Sequence, residues 1–262
     1  MATATTIRIT TFPWQPDSTV TGDLAIKNLR EGLMAAIKNE RGIHTETLLT
    51  AVGALAGFAA QNAALDRLSS RDPAAPKLGL AIAQTKSGRL MFGDAVNVFL
   101  YPEAHSTLPL VGIIAGAAAQ AGVPAAELPD FHEIAAYVAT VVGTSEFGKI
   151  RARPGHPPQL GPLELLHKLW PLARDILQRP PHKGFLRLPE KPLQEAHWPI
   201  IISIVGSQLI GMTKEVLSPR IGAALLMESA VITSKIDPET IEPGKWHIST
   251  GAGEQSITRL RK

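Results

Sequence analysis

The chain contains no cysteine. Disulfides, thiolate nucleophiles and Cys-ligated zinc or iron–sulfur centres are therefore excluded. Aromatic residues are scarce, at 5% of 262. Ala and Gly are abundant instead, so the packed elements are expected to approach one another closely. The N-terminus lacks a basic segment followed by an apolar one and does not read as a signal peptide, so the expectation is a cytoplasmic protein. Leu48–Ala60, Leu108–Ala121 and Trp198–Met212 are the longest apolar stretches. Each falls short of the roughly 20 residues that a spanning helix needs, and each is rich in small residues. They read as buried helices, and no membrane partner is expected.

A further absence is local. Residues 90–148 hold no Lys or Arg and six acids (Asp94, Glu103, Glu127, Asp130, Glu133, Glu146). Residues 149–191 reverse the balance, with nine basic residues against three acids. Neighbouring segments of opposite sign attract each other or sort ligands by charge. The basic stretch is therefore expected to dock on the acidic one or on a neighbouring subunit. As a nucleic-acid surface it is poorly equipped. Its only stacking groups are Trp170 and Phe185, its cations are mixed with prolines, and the whole chain is only +3.

Periodicity predicts a mainly α fold, marginally α+β. A first helix is expected over Asp23–Glu40, with Ile26, Leu29, Leu33 and Ile37 on one face. A second, from an N-cap at Thr45 to about Leu68, carries a small-residue face of Gly53, Gly57, Ala60 and Ala64. It also carries a polar pair, Gln61-Asn62, that needs partners if buried. A β-hairpin is expected near 78–93, with Gly88 at positive φ, then a short helix capped by Asp94 and another over Ser106–Ala121. Pro129 and Asp130 open the next helix. Asp130 and Glu133 have the spacing of a reciprocal capping box. Residues 151–192 form a Pro-rich basic excursion around a helix over Leu163–Gln178, bent at Pro171. Two further helices start at Trp198-Pro199 and Ser218-Pro219. Residues 245–262 are expected to be a loose tail. The whole, 1–262, reads as one domain.

Motifs that carry chemistry are few. Gly143–Lys149 resembles a phosphate loop in composition, but Ile150 stands where Ser or Thr should follow, and Arg151–Gly155 cannot form the helix that such a loop needs. It reads as a Gly-flanked helix end. No Gly-x-Ser-x-Gly elbow is present, and no cofactor or metal site is indicated. His132-Glu133 lacks the second His of a zinc helix. Glu228 is the anomaly. It is the only charge between Ile221 and Ser234, on what should be a core face, so it needs a partner or must be protonated. If a cation pairs with it, the candidates are an Arg or Lys of the basic segment; in an apolar pocket its pKa would instead be raised.

The leading expectation is a soluble, bacterial-type cytoplasmic protein that acts through homo-oligomerisation or partner binding. One alternative is an enzyme whose site is assembled from Glu228, His132, His44 and Asp130. The other is an anion or nucleic-acid binder that uses residues 149–191. The sequence identifies no small-molecule ligand.

Overall fold

Between Glu46 and Asp66 the chain carries no charge. A helix apolar on every side belongs inside a protein, and α2 (Thr45–Ser69) is buried from Thr47 to Leu65. In the computed structural model, which describes residues 16–69, 78–85, 88–102, 108–151, 155–178, 193–251 and 254–260, the other helices assemble around it. These are α1 (Pro16–Ile37), α3 (Asp94–Leu100), α4 (Leu110–Gln120), α5 (Phe131–Val141), α6 (Pro162–Gln178), α7 (Trp198–Thr213) and α8 (Pro219–Thr233). α6, α7 and α8 pack directly on α2. α1 lies against α6 and α7, α4 against α7 and α8, and α5 against α8.

The close approach expected of the small residues is realised between α2 and α8. A Cβ added at Gly53 would lie 2.1 Å from the Leu226 carbonyl oxygen, and one at Gly57 would lie 2.0 Å from that of Ala230. The two backbones thus touch. Hydroxyls exploit the contact: Ser229 Oγ donates to the Thr50 carbonyl (2.7 Å) and Thr233 Oγ1 to that of Ala54 (2.8 Å). On the α6 side Phe58 meets Trp170 edge to face at 4.6 Å. α6 is therefore part of the core, although it was expected within the Pro-rich excursion of residues 151–192. It does contain Pro171, as anticipated.

The expected hairpin is present as β1 (Ala81–Thr85) paired antiparallel with β2 (Gly88–Phe92), with Gly88 at φ 118°. Asp94 does not cap α3. It is the first helical residue, and Gly93, at φ 132°, holds the cap position. α4 begins at Leu110, just past Pro109. The loose tail expected beyond residue 245 is instead a second hairpin, β3 (Trp246–Gly251) with β4 (Glu254–Arg259). Trp246 and Ile248 bury against Leu65 and Met91. Trp246 Nε1 donates to Asn62 Oδ1 at 3.1 Å, and Arg259 pairs with Asp66 and Glu195. The polar pair in α2 is thereby largely, not fully, satisfied: Asn62 also donates to the Phe58 carbonyl and Gln61 Nε2 to that of Ile236, while Gln61 Oε1 is buried without a hydrogen-bond partner among the described residues.

Two segments, Thr45–Ser69 and Glu195–Thr213, are long and apolar enough to cross a membrane by length and composition. The apolar window of the first is wholly enclosed by the rest of the protein, and 56% of the second is buried. Residues 143–149 form successive turns after α5, with Gly143 and Gly148 at positive φ, so the phosphate-loop resemblance has no strand or helix to support it.

Candidate functional site

Asp130 follows Pro129 and caps α5. Its Oδ1 accepts the Glu133 N–H at 2.9 Å. The reciprocal half of the expected capping box is replaced by an ion pair. Both carboxylate oxygens of Glu133 take guanidinium N–H groups of Arg151, one of them at 2.7 Å. The same guanidinium lies 4.7 Å from the centre of the Tyr137 ring. Arg151 thus joins the basic segment to the acidic one, as the charge pattern led one to expect.

Glu228 is fully buried in α8. Its Oε1 accepts the backbone N–H of Arg151 at 2.5 Å, and the Arg151 guanidinium draws on it electrostatically. The basic segment therefore does supply a partner, here the main chain of Arg151. This carboxylate fixes the segment that leaves α5 against α8.

Above that anchor lies a cleft of about 380 Å³. One wall is the start of α5 (Pro129, Asp130, Glu133, Ile134), and another is the start of α8 (Arg220, Ile221, Ala224). Arg151 and His156 close it from the connecting segment. A volume of this order suits a small molecule. Among the described residues Arg220 has no ion-pair partner. His156 Nδ1 sits 2.9 Å from Glu46 Oε1 in the first turn of α2. Burial pushes the Glu46 carboxyl up, but the hydrogen bond with His156, its own backbone N–H and the two neighbouring histidines together hold it below the usual carboxylate range.

Of the four residues singled out from sequence, Asp130 lines the cleft, and Glu228, which is not among the lining residues, accepts the main-chain N–H of Arg151, which is one of them. His132 is exposed and stacks on Tyr101 at 5.7 Å. His44 caps α2, a role expected of Thr45: its Nδ1 accepts the Thr47 N–H at 3.3 Å, and its Nε2 lies 3.6 Å from Glu46 Oε2. Among the described residues no three His, Asp or Glu side chains are arranged to hold a metal ion. The chain matches no family model, no curated protein and no solved structure.

Sequence reasoning missed Glu46, His156 and Arg220. Arg220 had a legible signal, because a cation in the first turn of a helix opposes the helix dipole and needs a reason to be there. His156 had none, since its partner lies 110 residues away.

Proposed function

We propose that this protein binds a small anion in the cleft between α5 and α8. The observation that carries this reading is Arg220. Its neighbours are already engaged: Arg151 by Glu133, and Asp130 by the α5 backbone. Among the described residues lining this half-open cleft, Arg220 presents a guanidinium without an ion-pair partner, at a helix start where the dipole also favours negative charge. The reading keeps part of the anion-binding use of segment 149–191, because His156 lines the same cleft. It leaves Glu228 and His132 without a catalytic part.

Calorimetric titration with inorganic phosphate and with sulfate tests it. Both are expected to bind, and Arg220→Met is expected to weaken binding at least about tenfold, the loss of one charge-assisted contact. Arg220 is exposed, so the variant should fold as the parent does. Equal affinity in Arg220→Met and the parent would remove the basis of the proposal.

A second reading, self-association, is favoured by the end of α7. Met212 and Val216 are 56% and 74% exposed, and such side chains are more useful in an interface than in water. Light scattering is expected to give a dimer or larger at micromolar concentration. A mass of 28.0 kDa would exclude it.

A further inference from the structure

We propose that His156 is the second cation of the cleft, and that the ligand is a dianion taken up together with a proton. This rests on the anion-binding reading and adds to it the ligand's charge and the pH dependence of its capture.

The geometry sets the ring's two nitrogens apart. Nδ1 faces the Glu46 carboxylate at 2.9 Å, so it carries a proton and donates. Nε2 has no partner among the described residues, while the ring itself lines the cleft. A neutral ring would present a lone pair at Nε2, which repels an anion's oxygen. A protonated ring presents an N–H, with Glu46 behind it to stabilise the positive charge. An anion entering the cleft therefore selects the imidazolium and draws a proton onto Nε2.

Among the described residues, the other charged groups around the ring cannot take this role. From the side of α2, His44 holds its Nδ1 as an acceptor for the Thr47 N–H and turns its Nε2 towards Glu46, away from this role. In the connecting segment, Arg151 spends its guanidinium on Glu133 of α5. Asp130, also of α5, caps its own helix. Among the described residues that leaves Arg220 from α8 and His156 from the connecting segment, two cations on separate elements lining one cleft. A monoanion needs only one of them. Two suit a phosphate monoester, a sulfate or a short dicarboxylate.

Sulfate is the discriminating probe, because it stays doubly charged throughout the neutral range and does not itself titrate. Calorimetry of the full chain in two buffers of different ionisation enthalpy reads the protons taken up. About one proton per sulfate is expected at the high end of the pH range, with affinity falling up to about tenfold per pH unit there. His156→Gln should abolish the uptake, flatten the pH profile and lower affinity at least about tenfold at low pH. Glu46→Gln should move the midpoint of the profile to lower pH. Melting curves check that both variants are folded. Proton-free binding of sulfate by the parent, or an unchanged profile in a folded His156→Gln, overturns the proposal. Acetate bound as tightly as sulfate overturns the dianion. A parent that binds no sulfate at any pH sinks the anion reading itself, and this inference with it.

Discussion

Gly57→Val is expected to leave the chain unable to reach its native fold, with a loss of more than about 4 kcal/mol. Even the first added carbon would lie 2.0 Å from the Ala230 oxygen and 2.4 Å from Thr233 Oγ1. Neither is the free end of a flexible chain. The first is helix backbone, and the second belongs to a hydroxyl already bonded to Ala54 and Ser229. To admit valine, α8 would have to move away from α2, which would open the most extensive helix contact among the described residues. Denaturant unfolding and the yield of soluble chain measure this. Gly116→Ala is the matched control. It also lies within a helix, but a Cβ there meets nothing within 4 Å. Relief of glycine's backbone freedom should make that variant neutral or up to about 1 kcal/mol more stable. Equal loss at both positions would mean that helix propensity matters here and close packing does not.

Glu228→Ala is expected to cost about 3–5 kcal/mol, the range for removing one member of a buried charged pair. The substitution leaves the Arg151 N–H without its acceptor and empties the space between α8 and the segment below the cleft. Glu228→Gln retains an oxygen that can accept the same N–H but removes the charge that acts on the Arg151 guanidinium. A smaller cost of about 1–3 kcal/mol is expected. The segment after α5 should also become more susceptible to proteases in the alanine variant. Its release would show as earlier cleavage near residues 151–160 under native conditions. A glutamine variant as stable as the parent would show that the negative charge is dispensable, and that Glu228 serves only as a hydrogen-bond acceptor.

Much of the architecture was legible because it rests on local rules. Pro199 and Pro219 mark helix starts, Gly88 marks a turn, and Gly53 and Gly57 mark a close crossing, each through a constraint that acts within one turn of chain. The C-terminal hairpin was missed because its basic end looked unfit for a core. Yet Trp246 and Ile248 alternate with exposed His247 in the period of a strand. The basic ending is explained by partners far off in sequence, Asp66 and Glu195. The cleft was harder still. His44 and His132 drew attention by standing beside acids, but adjacency in sequence placed one at a cap and the other on a tyrosine. Glu228 was correctly marked as buried and partnered. The residues that shape the cleft come from three separate stretches, and no local pattern announces that they meet.

The bonds that join α2 to α8 also have a consequence in time. Ser229 and Thr50 are 179 positions apart. At a synthesis rate of about 5–20 residues per second, roughly 10–35 s pass between the emergence of the two partners. For that interval a 25-residue helix, apolar on all sides, has been made before the surface that will cover its glycine face. It is then at its most exposed to aggregation or to capture by chaperones that bind apolar segments. Its final burial waits on the last third of the chain, so folding is governed by the latest contacts to form, and the nascent protein depends on protection that the finished one does not need.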